Sequence, residues 1–424
     1  MIVGVNTGSV SAAVNVSFTG SDGNPIRVMI EGETGNSFNL SIPPMGTARL
    51  ETAALGGILT GYAKLLSSIP VSGSALFKLL SGDKIITEAG VGLSKPAKSF
   101  TIYVDNLNNA RSGYAVANTG TAPATLTLTL RDAGGSPRET RQITLPARQH
   151  IAEFAFERFP TNAPPGFEGS IEVTSDQNVT AVAIRFDNAT QDVFSAVPVL
   201  VDEAATALFF PQAADGGGYQ TNFILVNPSG SATTAKLEFF ASDGAPLPLP
   251  FGGSPKTTID VPLSAKGVAR LITDGTSSGI KVGWVRVTCP VPIGGSAIFQ
   301  TLLGGKIVSE AGVASSPLAP HFTAYVESLG FAQSGVAVCN PNAVAVTVTL
   351  RLRNSAGEIA ASTSLNLPPR GHLARFFTEL FPGGFGEFQG TLEVLAPAPV
   401  SGVAIRFDND SADVFATLPV IVIP

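Results

Sequence analysis

Apolar and polar residues alternate with a period of two along much of this chain. Leu126, Leu128 and Leu130 interleave with Thr125, Thr127 and Thr129, and Val346, Val348 and Leu350 interleave with Thr347, Thr349 and Arg351. Val14, Val16 and Phe18 keep the same rhythm, as do Ala235, Leu237 and Phe239. Successive side chains of a strand point to opposite faces, so the pattern predicts strands with one buried and one wet face. Each run follows an Asn-headed stop: Asn6-Thr7-Gly8, Asn118-Thr119-Gly120, Asn227-Pro228-Ser229 and Asn340-Pro341-Asn342. Each precedes a pair suited to a hairpin that requires positive φ: Asp22-Gly23, Gly134-Gly135, Asp243-Gly244 and Ala356-Gly357. In the second of these stretches the pattern predicts strands near 100–105, 112–118, 124–131, 140–145, 149–155, 169–174, 179–186 and 192–198. A short helical turn is predicted at Phe156–Phe159, with a counterpart at Phe377–Phe381, each stopped by a proline (Pro160, Pro382). Seven or eight short strands with turn signals about every 8–12 residues predict an antiparallel β-sandwich.

The chain also repeats itself. Gly73–Val91 (GSALFKLLSGDKIITEAGV) returns as GSAIFQTLLGGKIVSEAGV at Gly295–Val313, with Glu88 and Glu310 standing 222 residues apart (310 − 88). Val182–Asn188 returns at Val403–Asn409, and Tyr103/Tyr325, His150/His372 and Pro160/Pro382 fall on nearly the same register. The sequence is therefore a duplication of a unit that itself divides in two. The expected boundaries are 1–96, 97–203, 204–318 and 319–424, joined by the short linkers Leu93–Lys98, Asp202–Ala205 and Ser315–Pro320, which predict a semi-rigid rod.

The Phe-Phe-Pro…Asp-Gly-Gly-Gly-Tyr opening at Phe209–Tyr219, the Asn-Pro strand ending and the Glu-Ala-Gly-Val closings resemble tandem immunoglobulin-like repeats of bacterial secreted or cell-surface proteins. The resemblance spans the chain as a repeat style and implies an all-β fold of four tandem immunoglobulin-like sandwiches in two duplicated pairs. It also implies an extracellular or cell-surface setting, and no established activity. The first module departs from the pattern. Ile2 aligns with Phe223, so this module starts at its second strand and its sandwich lacks an edge strand. Three accounts stand open: the numbering begins inside a longer chain, another copy donates a strand, or the short sheet is tolerated. The residues assigned to such assembly are Ile2, Val3 and Val5 on the incomplete module and Leu418, Val420, Ile421, Val422 and Ile423 as a donor strip. That strip reads first as the last strand of its own module, because Val197–Val201 looks the same in mid-chain.

Composition narrows the classes. Only 14% of residues are charged, 44% are hydrophobic, and Gly 45 and Pro 31 are abundant. This excludes intrinsic disorder, which needs low hydrophobicity and high net charge, and disfavours helix-rich folds. A net charge of −6 gives no footprint for nucleic acid or an anionic membrane, and no apolar run is long enough for a membrane span. Cys289 and Cys339 are too few for a disulfide framework and read as small buried residues.

Candidate chemistry is thin. Gly275-Thr276-Ser277-Ser278-Gly279 fits the nucleophile-elbow pattern, but the elbow needs a helix after it and Lys281–Val287 alternates like a strand. Gly216–Gly218 reads as a hairpin turn, since a phosphate cradle needs a following helix N-terminus. His150, His321 and His372 are scattered and read as isolated surface residues. Asp187, Asn188 and Asp192, echoed by Asp408, Asn409 and Asp413, read as turn formers ahead of a calcium site. Arg185 with Asp187, and Arg406 with Asp408, read as surface ion pairs, and Glu88 and Glu310 occur only in the odd modules. No catalytic, cofactor-binding or metal residue is assigned. The expectation is a non-catalytic structural protein, a stalk or filament subunit that self-associates head to tail. The alternative is an adhesin binding glycan or protein through sandwich-end loops.

Overall fold

A computed structural model describes residues 1–53, 57–187, 193–201, 204–408, 410 and 414–423. Strands make up 67% of the chain and helix 2%, and the strand pairings are antiparallel. The sheets draw on four consecutive stretches of chain.

In the second stretch one side carries, in order, Pro137–Leu145, Ala124–Asp132, the first half of Glu168–Asp187, and Ala97–Asp105. The other carries His150–Phe154, Ala110–Ala117, the second half of Glu168–Asp187, and Val193–Val197. Two strands expected at 169–174 and 179–186 are thus a single strand that passes from one side to the other. Lys281–Leu303 and Phe388–Asp408 do the same in the third and fourth stretches. The helical turns fall at Ala155–Arg158 and Phe377–Leu380, about where they were expected. The first stretch has a four-stranded sheet (Thr47–Leu50, Ile2–Val5, Ser72–Ser81, Lys84–Gly92) and a sheet of only three strands (Ser37–Ile42, Ala12–Gly20, Gly61–Ser67).

The alternating leucines form the cores. Leu126, Leu128 and Leu130 from one side meet Tyr114 and Val116 from the other, and Phe223, Leu237, Phe239 and Val285 play the same part in the third stretch. The Asn stops are buried anchors. Asn118 Nδ2 donates to the carbonyls of Ala122 (2.8 Å) and Leu145 (3.0 Å), while its Oδ1 accepts from the Gly120 amide (3.0 Å). Asn6, Asn227 and Asn340 repeat this scheme. A buried amide side chain is tolerable because its polar atoms are satisfied.

Contacts between the stretches run in a cycle. The Ser21 carbonyl accepts from the His150 amide (3.3 Å), Ala133 from Val268 (2.9 Å), Ser242 from His372 (3.0 Å) and Ser355 from Thr47 (3.0 Å). Each hairpin turn of one stretch therefore sits on the loop of the next whose carbonyl the Asn anchor binds (Pro146 for Asn118, Ser264 for Asn227, Pro368 for Asn340), and the fourth sits on the loop at Pro43 in the first. The turn glycines make this approach possible. Gly135, Gly244 and Gly357 have φ near 85°, and a Cβ on any of them would lie 2.0 Å from a carbonyl oxygen of the neighbouring stretch. The receiving loops hold Met45, Arg148, Lys266 and Arg370 at positive φ in equivalent places.

This corrects the rod. The ends of the chain meet: Val3, Val5 and Leu76 share one apolar cluster with Phe322, Val326 and Leu418, whereas short linkers alone had predicted an extended string. It also corrects the histidines, because His150 and His372 are buried at two of these contacts, each ring facing a serine hydroxyl of the preceding stretch (3.2 and 3.4 Å). His321 lies apart, with Nε2 2.7 Å from Glu393.

Candidate functional site

Among the described residues the strand Gly61–Ser67 has a partner on one flank only. It pairs with Ala12–Gly20, placing Leu65 opposite Val16 and Ala63 opposite Phe18. Its counterparts are sandwiched. Val287 lies between Leu237 and Leu208, and Val285 between Phe239 and Phe210. Val173 lies between Leu128 and Phe100, and Val394 between Leu350 and Phe322. The missing neighbour shows in burial. Val285 and Val287 are 0% exposed, whereas Ala63 is exposed and Leu65 only half-buried. Ile2 and Phe38 are likewise only partly covered at the edge of the small first core.

The end of the edge differs too. In the third stretch Asp215, the last residue of the flanking strand Ala205–Asp215, accepts the amides of Gly275 (2.6 Å) and Ser277 (2.9 Å). Ile280 then packs against Gly217, where a Cβ would lie 2.5 Å from its Cγ1. Ile58, the counterpart of Ile280, is 95% exposed, against 55% for Ile280 itself. A strip of backbone donors and acceptors beside uncovered apolar side chains is a template for strand addition.

Two buried charge clusters join the stretches. Arg185 donates to Asp105 (2.8 Å) and to Glu310 of the third stretch (2.5 Å), with Asp187 at 3.5 Å. Arg406 donates to Glu327 (2.5 Å) and to Glu88 of the first stretch, with Asp408 at 3.4 Å. These are not surface pairs: Arg185 is 4% and Arg406 3% exposed. An arginine in the even stretches pairs a glutamate in the odd ones because burial is tolerable only for a charge that finds its opposite.

The two clusters are unequal. Glu310 also accepts from Ser195 Oγ (2.7 Å) and Gln300 Nε2 (3.0 Å). At the matching strand positions around Glu88 stand Ala416, which has no donor, and Lys78, whose Nζ turns to Glu51 (2.6 Å). Glu88 Oε1 accepts no hydrogen bond among the described residues. Burial pushes the Glu88 carboxyl up to about 7, against the pull of Arg406. At the other end of the same cluster Glu327 is also buried, but Arg406 and the Tyr325 hydroxyl hold it below the usual carboxylate range.

The residues assigned to assembly from sequence are not at the open edge. Ile2, Val3 and Val5 lie in a strand paired on both flanks, with Thr47–Leu50 and Ser72–Ser81. Leu418 closes Val414–Leu418 against Phe388–Asp408, Ile421 and Val422 pair with Thr323 and Phe322, and the Ile423 amide donates to His321 O (3.0 Å). Val420 is half-buried against the shared cluster. The C-terminal strip thus completes its own sheet. The sequence alignment points to a first strand absent before Ile2, and the flank that such a strand occupies in the other stretches lies beside Gly61–Ser67. The signal that could have shown this flank was the match of Gly61–Ser67 to Gly283–Cys289, where a flanking strand is present.

The Gly275–Gly279 loop closes on Asp215 and runs into the strand Lys281–Leu303, with no helix after it. Gly216 and Tyr219 form the expected tight turn through reciprocal amide–carbonyl bonds (2.9 and 3.0 Å). Cys289 and Cys339 are buried and unpaired. Asn188, Asp192, Asn409 and Asp413 lie outside the described residues; among those described, no group of acids, histidines or cysteines could hold a metal ion, and no helix is long and apolar enough to cross a membrane.

No protein-family model matches the chain, and no curated protein does. Among solved structures, one described as "The Triple Jelly Roll Fold and Turret Assembly in an Archaeal Virus" aligns over 99% of this chain and 91% of that one. At 9% identity and a TM-score of 0.15 it carries no weight for fold or function.

Proposed function

We propose that this is a non-catalytic structural protein of the cell exterior, built from four immunoglobulin-like β-sandwich modules in two duplicated pairs. It works by joining a partner at the uncovered edge of the sheet that ends in Gly61–Ser67. The observation that carries the reading is the one-sided pairing of Gly61–Ser67, set against three counterpart strands paired on both flanks. The extracellular setting is supported by the resemblance of the repeats and by the low charge. The cycle of turn-on-loop contacts supports a closed block in place of a rod. In such a block the modules fix one another's orientation, and the uncovered edge at Gly61–Ser67 gives assembly a direction.

A photo-crosslinking side chain at Leu66, on the edge strand and 56% exposed, tests this in native material against the same group at Val344, 65% exposed on the far side of the chain's sequence. The reading predicts a discrete crosslinked product from Leu66 and none from Val344. Equal crosslinking from the two positions, or none from either, contradicts it.

A further inference from the structure

Three contacts of the cycle join stretches that a short linker already ties together, whereas the fourth stretch meets the first with no linker between them. That joint opens without straining the backbone. Four closing strands meet where the stretches converge: Lys84–Gly92, Val193–Val197, Lys306–Ala314 and Val414–Leu418. Two glycines let them approach. A Cβ on Gly312 would lie 2.0 Å from Ala196 O, and one on Gly90 would lie 2.1 Å from Thr417 O. Glu310 therefore stands to Ser195 as Glu88 stands to Ala416, and the second-to-third and fourth-to-first joints share one plan.

Only the second-to-third joint satisfies its glutamate. Glu310 Oε1 accepts from Ser195, and its Oε2 accepts from Arg185 and Gln300. Glu88, 0% exposed, accepts from Arg406 at Oε2 and from nothing at Oε1. Two nearby cations are drawn away from it. Lys78, opposite Glu88 on the adjoining strand, and Arg49 both bind Glu51. Glu51 has Ile272 as its counterpart, since Leu50 pairs with Ile2 as Leu271 pairs with Phe223. The third stretch thus has no acid at that place.

The charged groups facing Glu88 are Arg406 and Asp408 of the fourth stretch, Glu327 on the far side of Arg406, and Lys78. Val193–Val197 and Val414–Leu418 carry no charge. On Lys306–Ala314, Lys306 is exposed and Glu310 is held by Arg185. The Met1 amino group donates to Leu76 O (2.9 Å) on the strand that carries Lys78. A buried carboxylate with an unsatisfied oxygen is costly, and a proton removes the charge that makes it so.

We infer that Glu88 is a proton-controlled latch on the fourth-to-first joint: protonated, it lets the first stretch stay closed on the fourth, and its ionisation lets Lys84–Gly92 part from Val414–Leu418. In the closed chain burial raises the Glu88 carboxyl from 4.5 to about 7, and opening returns it toward 4.5. Closing therefore takes up a proton between these values. The closed form is favoured most below about 4.5 and loses ground as pH rises to about 7. The Met1 amino group, lowered by burial to about 6, acts in the opposite sense and is shared by every Glu88 variant.

The test is hydrogen exchange of the full chain between pH 5 and 7, corrected for the intrinsic rate at each pH. Protection of Lys84–Gly92 and Val414–Leu418 is expected to fall by about 10- to 100-fold across that range, while Lys306–Ala314 and Val193–Val197 hold theirs. Glu88→Gln should keep the first pair of strands protected at both ends of the range. Ala416→Ser, which gives the ionised carboxylate the hydroxyl that Glu310 has, should shrink the fall in a chain that keeps Glu88. Protection that stays flat from pH 5 to 7, or that falls alike in both pairs of strands, overturns the latch. So does a fall that persists in Glu88→Gln or is untouched in Ala416→Ser, because another group would then be titrating.

Discussion

The first and third stretches are the same sequence plan built twice, 222 residues apart, and they differ in completeness. In the third, Phe210 and Leu208 cover Val285 and Val287, Asp215 closes the loop, and Glu310 has an arginine, a serine and a glutamine around it. In the first, among the described residues, the same edge has no flanking strand, the isoleucine beside it stands in solvent, and Glu88 accepts from an arginine alone. Fully burying a Leu or Phe contributes about 1.5–3 kcal/mol, so one flanking strand separates a finished core from a marginal one. Alternation in a sequence fixes which face of a strand is apolar. Whether that face is covered depends on a strand that is distant in sequence.

The largest test concerns what the two stretches share. Arg185→Ala and Arg406→Ala each strand a buried group of carboxylates, so each is expected to cost about 3–5 kcal/mol of stability in denaturant unfolding. A loss below about 1 kcal/mol for either would show that its cluster is hydrated and slack. The edges should separate next. Val285→Lys buries an unpaired charge and is expected to cost about 2–4 kcal/mol, while Ala63→Lys should stay within about 0.5 kcal/mol. Equal costs would mean the first edge is covered after all.

A smaller contrast lies at the glutamates. Ser195→Ala removes a partner from Glu310 and is expected to cost about 1–3 kcal/mol, while Ala416→Ser offers Glu88 the hydroxyl it lacks and should gain about 1 kcal/mol. The pH dependence is finer still. The folded Glu88 holds its proton up to about 7, above its ordinary 4.5, so the folded state binds more protons than the unfolded one between these values. Its contribution is therefore fully present below about 4.5 and is lost as pH rises through about 7. Thermal unfolding of Glu88→Gln should lose that slope, and an unchanged slope would assign it to another group.

Much of the fold was legible in the sequence because it is written locally. The Leu/Thr alternation at 125–130 gives a half-buried strand, and the Asp-Gly, Gly-Gly and Ala-Gly pairs give turns with positive φ, as found at Gly23, Gly135, Gly244 and Gly357. The same glycines also carry a second requirement, close approach to a neighbouring stretch, which turn chemistry alone does not reveal. Arg185 and Glu310 are 125 residues apart in sequence and Arg406 and Glu88 are 318 apart. Each seen alone looks like a solvated charge. That Glu88 and Glu310 stand only in the odd stretches is visible, but nothing in their local sequence names Arg406 and Arg185 of the even ones as their partners. The open edge was half legible: the alignment of Ile2 with Phe223 showed a strand was missing, and only the pairing register showed that the gap lies beside Gly61–Ser67.

Hydrogen exchange of the free chain tests that gap most directly, by comparing the amides of Gly61–Ser67 with those of their counterparts from Gly283 to Cys289. The account predicts fast exchange in the first segment, at the amides that face away from Ala12–Gly20, and strong protection throughout the second. Matching protection in the two segments would contradict it, because the edge would then already be closed.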